Sequence, residues 1–306
     1  MRIIFMGTPE FAVPSLEILV ENNYNVVAVI TAPDKPAGRG LKLVASPVKE
    51  AALKHSIPVL QPEKLKNPEF LEELKSYKAD LQVVVAFRML PEIVWNMPPK
   101  GTFNLHASLL PDYRGAAPIN WAIINGEKET GASTFFLQHE IDTGNIIFQE
   151  HEPISETDNV GTVYERLMHK GAKLVLKTVA AVETGNYPQI PQDLSKPVKM
   201  APKIFTETCE INFEQSVEQV YNFVRGLSPY PGAWTKVNGK TCKIFQAEKL
   251  YTTDGGTLQP GSVYSDNKTY LRFKTTDGWI EIKELQMEGK KRMKIDEFLR
   301  GNTIAQ

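Results

Sequence analysis

The chain has 306 residues, 42% of them hydrophobic, and a formal net charge of −1 at pH 7. This length predicts about two domains, and the near-zero charge argues against a protein coated with cationic side chains for binding nucleic acid. The longest apolar runs, such as residues 81–87 (broken only by Gln82), are far too short to cross a membrane. The first residues lack a signal-peptide pattern, and the two cysteines lack metal-site spacing. We therefore expect a cytoplasmic protein without a membrane segment.

Strand-like and helix-like segments alternate in the first part of the chain, as in a parallel sheet flanked by helices. The predicted strands are residues 2–6, 25–31, 57–60, 81–86 and 102–105, then a pair at 130–137 and 145–151. The predicted helices are residues 13–22, 68–77, 118–125 and 162–183, and a further one begins after the N-cap residue Ser46. Residues 32–45 are predicted to be a loop. We expect a Rossmann-like, mostly parallel sheet with helices on both faces over residues 1–187.

The composition then changes. Residues 188–203 are rich in proline and lack strong periodicity, which predicts a linker. Residues 204–306 combine one predicted helix, 216–226, with short β runs. The predicted β runs are 233–237, 242–248, 270–273 and 280–285. Turn sequences such as Asn238-Gly239 separate them, so we expect a small OB-like β-barrel.

Polar side chains end the predicted strand 102–105. Asn104 and His106 are two residues apart and therefore face the same side, at the strand end where open α/β sheets bind ligands. An asparagine amide and an imidazolium can both donate to a developing oxyanion. A carboxylate commonly orients such a histidine, and Asp142, on a predicted tight turn, is the best candidate. Alternatively, a lone asparagine, histidine or aspartate in these settings only forms a turn or satisfies a local hydrogen bond.

A longer string carries a family resemblance. Residues 104–111 read Asn-Leu-His-Ala-Ser-Leu-Leu-Pro and residues 113–118 read Tyr-Arg-Gly-Ala-Ala-Pro. With the spacing to Asp142, this string resembles the signature of folate-dependent formyltransferases. The resemblance implies that Asn104, His106 and Asp142 are catalytic and that no metal is needed. It also implies a binding segment for 10-formyltetrahydrofolate, which consists of Ser108, Leu109, Leu110, Pro111, Phe87, Arg88 and Leu90. Similar enzymes usually have Tyr-Gly at 87–88 and a basic or bulky residue at 112, so the chain departs from the family there.

Three further stretches, residues 5–11, 33–40 and 225–235, resemble the members of this family that formylate methionyl-tRNA. The resemblance implies transfer of the formyl group from 10-formyltetrahydrofolate to the α-amine of initiator methionyl-tRNA, giving N-formylmethionyl-tRNA. Asn104 and His106 would stabilise the oxyanion, and Asp142 would hold His106 and favour its protonated form. We expect a monomer whose C-terminal barrel binds tRNA.

The predicted loop also carries charge. Residues 33–49 contain four Lys or Arg residues and one Asp, a net charge of +3. Composition alone favours a solvated surface loop, but the loop matches the tRNA-contacting loop of the family. We therefore expect Arg39, with Lys35 and Lys42, to contact the acceptor end. A second basic cluster, Lys290, Lys291, Arg292 and Lys294, could meet phosphates.

Other functions remain open to the sequence. A formyltransferase for a nucleotide amino-sugar shares the motif around His106, although the loop at 33–49 and the segment 229–235 favour the tRNA enzyme. A catalytically silent RNA-binding protein would not need Asn104, His106 and Asp142 together. A formyl-folate hydrolase would not need the basic loop. The turn at Gly7 lacks the G-x-G-x-x-G pattern, so we expect no dinucleotide site.

Overall fold

The computed structural model describes residues 1–37, 42–140, 142–193, 195, 197–252 and 258–304. The chain divides into two compact units. The first contains Met1–Gly115, Thr130–Glu152 and Tyr164–Lys199, and the second contains Ala116–Glu129, Pro153–Val163 and Met200–Gln306. The boundaries predicted above, 1–187, 188–203 and 204–306, stay a prediction. No helix in the described ranges is long and apolar enough to span a bilayer.

The first unit is built on a seven-stranded sheet. The strands up to residue 153 are β1 (Arg2–Gly7), β2 (Asn25–Ile30), β3 (Lys35–Ala37), β4 (Lys42–Val44), β5 (Val59–Leu60), β6 (Leu81–Val85), β7 (Thr102–His106), β8 (Arg114–Gly115), β9 (Glu129–Phe136) and β10 (Ile146–Pro153). The helices up to residue 184 are α1 (Val13–Glu21), α2 (Pro47–Lys54), α3 (Pro68–Ser76), α4 (Glu92–Trp95), α5 (Pro118–Ile124) and α6 (Val160–Thr184). The sheet order is β10-β9-β7-β6-β1-β2-β5. Five adjacent strands of this sheet, β7, β6, β1, β2 and β5, are parallel. Strand β9 is antiparallel to β7.

Helices cover both faces of this sheet. On one face, Ile4 and Val84 pack with Phe70 of α3. On the other face, α6 lies against β7, because a Cβ atom on Gly171 would lie only 2.7 Å from Cδ2 of Leu105. Strands buried on both faces need nearly continuous apolar sequences, and β1 and β6 have them. The predicted Rossmann-like architecture is therefore confirmed.

The strand order predicts which edge of the sheet carries a ligand site. The chain builds β1, β2 and β5 outward in one direction and then returns past β1 to build β6 and β7. In open α/β sheets, ligands bind at the carboxyl ends of strands near such a reversal. The carboxyl ends of β6 and β7 lie on this edge.

The predicted loop at residues 32–45 was wrong in part. It contains β3 and β4, which pair antiparallel and bring Lys35 opposite Val44 and Pro36 opposite Leu43. Each strand has only three residues, and lysine and proline are poor strand residues, so sequence patterning did not reveal the hairpin. The predicted N-cap that follows is confirmed, since the Ser46 hydroxyl accepts a hydrogen bond from the Lys49 N–H.

The second unit joins helix α7 to an antiparallel sheet. Its remaining elements are β11 (Met200–Ala201), α7 (Val217–Leu227), β12 (Ala233–Val237), β13 (Lys240–Leu250), β14 (Val263–Ser265), β15 (Leu271–Lys274), β16 (Trp279–Met287), β17 (Met293–Lys294) and α8 (Ile295–Leu299). The sheet order is β12-β13-β16-β15-β14, with β17 paired to β16. Val220 and Val224 of α7 share a core with Ile244, Phe273 and Ile280.

Local sequence explains this unit well. Ser216 and Gln219 form a capping box at the start of α7. Asn238 and Gly239 both adopt positive φ between β12 and β13, as a two-residue hairpin of this type requires. The register shifts in β13 around Gln246, and such bulges increase the twist of a strand. The result is a curled antiparallel half-barrel, which agrees with the predicted small C-terminal β domain.

Candidate active site at the end of strand β7

Strand β7 aims Asn104 and His106 at one side of the sheet. Asn104 lies opposite Val84 of β6 and Phe135 of β9, and His106 lies opposite Ser133 of β9. Leu105 between them faces α6. The alternation of side chains along a strand thus places the two polar residues together, at the carboxyl edge that the strand order marks.

The imidazole of His106 is buried, with 7% of the side chain exposed. Its Nε2 lies 2.8 Å from the carbonyl oxygen of Tyr113. A carbonyl oxygen can only accept, so Nε2 carries a proton. The other ring nitrogen, Nδ1, lies 4.0 Å from Oδ2 of Asp142. His106 therefore has one N–H held by the backbone and its second nitrogen directed at a carboxylate.

Asp142 is held on a tight turn after β9. Its side chain is 13% exposed, and Oδ2 accepts a hydrogen bond of 3.2 Å from the Gly115 N–H. The backbone of Asp142 has a φ of 56°, in the left-handed region that few non-glycine residues adopt. Gly144 is required two residues later, because a Cβ atom there would lie 1.7 Å from the carbonyl oxygen of Phe136. These constraints fix the carboxylate beside His106.

Asn104 is half-buried. Its side chain makes no hydrogen bond to any other residue of the described ranges. The amide can therefore donate to a ligand without first breaking a protein contact. An unengaged amide, a protonated imidazole nitrogen and a nearby carboxylate form a set that can stabilise an oxyanion and move a proton.

The turn after β7 is braced from β9 and β10. Ser133 donates to the Ser108 carbonyl at 2.6 Å and accepts from the Leu110 N–H at 3.1 Å. Gln149 donates to the Leu110 carbonyl at 3.0 Å and to the Ser133 hydroxyl at 2.8 Å. The Leu110–Pro111 peptide bond is cis. The hydrogen bonds from Ser133 and Gln149 hold the backbone of the segment Ser108–Pro111 at Ser108 and Leu110.

Sequence reasoning missed Ser133 and Gln149. Both lie on strands that were predicted correctly. The signal available was a serine within a predicted core strand, and the structure buries it completely. A buried hydroxyl needs a hydrogen-bond partner.

The three predicted donor-binding residues after β6 lie at the same edge of the sheet. Phe87 and Leu90 belong to an apolar cluster with Val84. Arg88 donates to the carbonyl oxygens of Pro62 and Glu63, the latter at 2.8 Å. Burial lowers the pKa of the Arg88 guanidinium. The guanidinium thus connects the segment after β6 to the segment after β5, and Phe87 and Leu90 supply apolar surface.

The β3–β4 hairpin with its lysine and arginine residues, called the basic hairpin below, is described only in part because residues 38–41 lie outside the described ranges. Lys35 is exposed on β3, the backbone of Lys42 pairs with that of Ala37, and Arg39 lies outside the described residues. Lys49 forms an ion pair of 2.6 Å with Asp34, and that hydrogen bond is the main cause that lowers the pKa of Asp34. Lys49 and Asp34 therefore neutralise each other, and the remaining positive charge of the loop comes from the three predicted tRNA contacts.

The second basic cluster lies in the second unit. Lys290 and Lys291 are exposed, whereas Arg292 pairs with Glu284 at 2.5 Å and lies over the ring of Phe245.

Within the described ranges, no three His, Cys, Asp or Glu side chains are grouped so that they could hold a metal ion.

Comparison with known proteins relates both halves of the chain to one family. Residues 1–179 match the family Formyl transferase, and residues 203–303 match Formyl transferase, C-terminal domain. The methionyl-tRNA formyltransferase of Bacteroides fragilis is 57% identical over 98% of this chain and 95% of its own length. That of Flavobacterium johnsoniae is 48% identical over 100% of this chain and 97% of its own length.

Solved structures give the same fold at lower identity. An N-formyltransferase from Helicobacter canadensis, in complex with folinic acid and dTDP-3-aminofucose, has a TM-score of 0.69 and 21% identity, covering 95% of this chain and 99% of that chain. HypX from Aquifex aeolicus, in complex with tetrahydrofolic acid, has a TM-score of 0.64 and 22% identity, covering 98% of this chain and 47% of that chain. At these identities the structural likeness concerns the fold alone.

Proposed function

The chain belongs to the formyl transferase family, and from this we propose that it formylates initiator methionyl-tRNA. The donor is 10-formyltetrahydrofolate, and the products are N-formylmethionyl-tRNA and tetrahydrofolate. The observation that carries the proposal is the joint placement of Asn104, His106 and Asp142 in a chain that is similar over its whole length to enzymes of that name.

The reaction is attack of an amine on an amide-like carbonyl. The α-amine of the methionyl ester attacks the formyl carbon, the formyl oxygen becomes an oxyanion, and the bond from that carbon to N10 then breaks. A free α-amine has a pKa of about 8, so its neutral form is accessible near neutral pH. The difficult steps are therefore charge development on oxygen and protonation of the departing nitrogen.

The site residues meet these two needs. The Asn104 amide donates one hydrogen bond to the oxyanion. Because Nδ1 of His106 faces Asp142, we assign the N–H at Nε2 to the substrate, in exchange for the carbonyl of Tyr113. The proton lost by the attacking amine reaches N10 by relay through His106. One such oxyanion donor typically contributes about 10²- to 10³-fold to the rate.

The donor site is proposed at the carboxyl edge of the sheet. The hydrogen-bonded backbone of Ser108–Pro111 would hold the folate, and the apolar surface of Phe87 and Leu90 would lie against its pterin ring. Arg88 would act by keeping this segment in place through the carbonyls of Pro62 and Glu63.

The acceptor contacts are also part of the proposal. Lys35, Arg39 and Lys42 would contact the acceptor end of the tRNA, and the C-terminal domain, residues 204–306, would bind the tRNA body. Phosphate contacts of this kind weaken with rising salt. A monomeric, cytoplasmic enzyme fits this role, since charged tRNA is a cytoplasmic substrate.

The test is a choice between acceptors. The protein is incubated with 10-formyltetrahydrofolate and either methionine-charged initiator tRNA or a nucleotide amino-sugar, and the products are identified by mass spectrometry. Formylmethionine released from the tRNA supports the proposal. Donor turnover with the amino-sugar and none with the tRNA would replace it with the alternative function.

A further inference from the structure

A segment predicted as a linker runs beside the candidate site. The ring of Tyr187 packs against that of Phe136, with centroids 5.5 Å apart. Ile190 exchanges two backbone hydrogen bonds, of 2.8 and 2.9 Å, with Ile146 at the start of β10. Further along, the carbonyl of Lys199 accepts from the Tyr113 N–H. Tyr187, Ile190 and Lys199 therefore each contact other parts of the first unit, and Gln192 lies between Ile190 and Lys199.

The side-chain amide of Gln192 joins two segments of the site. Its Nε2 donates to the carbonyl oxygens of Asp142 and Gly144, at 2.8 and 2.9 Å. Its Oε1 accepts from Nη2 of Arg114 at 2.5 Å. A glutamine amide has two N–H donors, and both are used here on the turn that carries Asp142.

Other contacts of the turn act together with Gln192. Asp142 has a left-handed backbone, which aspartate adopts more readily than most non-glycine residues. Gly115, the neighbour of Arg114, donates to the Asp142 carboxylate. Gln192 and Gly115 thus both connect residues 114–115 to the turn at residues 142–144. The distance from Asp142 to His106 depends on both connections.

We propose that Gln192 is a positioning residue that holds the Asp142 turn in the register needed by His106. The inference rests on the proposed formyl transfer for its kinetic consequence. Gln192 does not touch the reacting atoms. It acts through the backbone of Asp142 and Gly144, so its removal loosens the turn and leaves the carboxylate intact.

The experiment uses a double-mutant cycle in the full-length protein. Gln192→Ala is combined with Asp142→Asn, and kcat and KM are measured with charged initiator tRNA and 10-formyltetrahydrofolate. Gln192→Ala alone should lower kcat by about 10- to 100-fold, because misplacement of a catalytic group by about 1 Å costs on that order. In the Asp142→Asn background the same change should lower kcat less than about 3-fold, because residues that act through one another are not additive.

Two further variants separate the contacts of Gln192. Gln192→Glu keeps an acceptor for Arg114 and loses both N–H donors, so it should be as defective as Gln192→Ala. Gln189→Ala is the matched control, since Gln189 is exposed three residues earlier and makes no side-chain hydrogen bond within the described ranges. It should keep the wild-type kcat. Thermal unfolding of each variant shows whether it is folded.

A measurement independent of turnover separates this inference from the proposed function. Nuclear magnetic resonance of the His106 ring nitrogens, recorded at one fixed pH, reports whether Asp142 still faces the ring. Gln192→Ala should displace the Nδ1 signal in the direction that Asp142→Asn does, and Gln189→Ala should not. An unchanged signal, a wild-type kcat, or a double variant whose loss in kcat equals the product of the two single losses would overturn the proposal. Absence of formylmethionine with the wild-type protein would refute only the proposed function.

Discussion

Nδ1 of His106 lies 4.0 Å from Oδ2 of Asp142, while the opposite ring nitrogen is held by a backbone carbonyl. This separation exceeds a normal hydrogen bond, so the carboxylate acts on the ring by its charge and can close on it with a small movement. Catalytic hydrogen bonds are often long before substrate binds. In the proposed mechanism Asp142 therefore faces the ring nitrogen through which His106 relays a proton.

Removing the negative charge of Asp142 should slow the chemical step. Asp142→Asn keeps the shape of the side chain and the acceptor for Gly115, but no longer stabilises an imidazolium. We expect kcat for formylation to fall by about 10²-fold, with little change in either KM, because proton transfer by a positioned group is typically worth 10²- to 10⁴-fold. Steady-state kinetics measure this. Asp193→Asn changes an exposed aspartate whose carboxylate bonds Ser195, and this variant should leave kcat unchanged. Equal rates for both variants would remove Asp142 from the mechanism.

The donor-binding turn should depend on Ser133. Ser133→Ala leaves the Ser108 carbonyl without its donor and the Leu110 N–H without its acceptor. Loss of such buried hydrogen bonds costs about 1–3 kcal/mol, so we expect KM for 10-formyltetrahydrofolate to rise by roughly 10-fold while KM for tRNA stays constant.

Thr134→Val is the control for Ser133. Thr134 is the next residue on β9, equally buried, but its hydroxyl bonds Thr178 of α6 on the opposite face. That variant should lose stability without a change in KM for the donor. If the two variants affected this KM equally, the proposed role of the turn would fail.

The basic hairpin should give a salt-dependent contact with tRNA. Lys35→Ala should raise KM for charged tRNA by roughly 3- to 10-fold at low salt and leave KM for the donor unchanged. The slope of log KM against log salt should decrease by about 1, since one phosphate contact is lost. Lys66→Ala, an exposed lysine elsewhere in the first unit, should have no effect. A slope that is the same for both variants would exclude Lys35 from the tRNA interface.

The stability of the first unit should depend on the charge of Glu152. Burial alone would raise the pKa of this carboxyl, but hydrogen bonds and charges from Lys170 and Arg166 outweigh it and hold the pKa below its usual value. Below the ordinary pKa of about 4.3 the unfolded chain therefore binds more protons than the folded one. The contribution of Glu152 to the free energy of unfolding is complete above that pH and is lost as pH falls through the lower folded pKa.

Urea unfolding at several pH values tests this dependence. At pH 7 the free energy of unfolding of Glu152→Gln should be about 1–3 kcal/mol lower than that of the wild-type protein. Between pH 4 and pH 3 this free energy should fall less in the variant than in the wild-type protein. Glu150→Gln is the control, because its contact with Lys177 is 3.8 Å long and exposed. It should change stability by less than about 0.5 kcal/mol. A pH profile of Glu152→Gln parallel to that of the wild-type protein would contradict the assignment.

The sequence predicted the parts of this protein that local patterns determine. The buried runs of β1 and β6, the cap at Ser46 and the turn at Asn238 each follow from a few adjacent residues. The shared face of Asn104 and His106 follows from strand alternation alone. Asp142 was the best candidate carboxylate because it lies on a predicted tight turn, and the family resemblance supported that choice.

The sequence could not reveal the bonds between distant segments. Gln192 and Asp142 are 50 positions apart, and a polar residue in a proline-rich stretch looks the same whether it faces solvent or a catalytic turn. Ser133 gave only a weak signal for the same reason. The β3–β4 hairpin was missed because three-residue strands carry too little pattern to distinguish them from a loop.

The central claim is that Asn104 and His106 together stabilise the oxyanion formed during formyl transfer. Single-turnover formylation with saturating 10-formyltetrahydrofolate and charged initiator tRNA measures this step without product release. Asn104→Ala and His106→Ala should each transfer formyl groups about 10²- to 10³-fold more slowly than the wild-type protein, with unfolding temperatures close to its own. Transfer by either folded variant at the wild-type rate would contradict the claim.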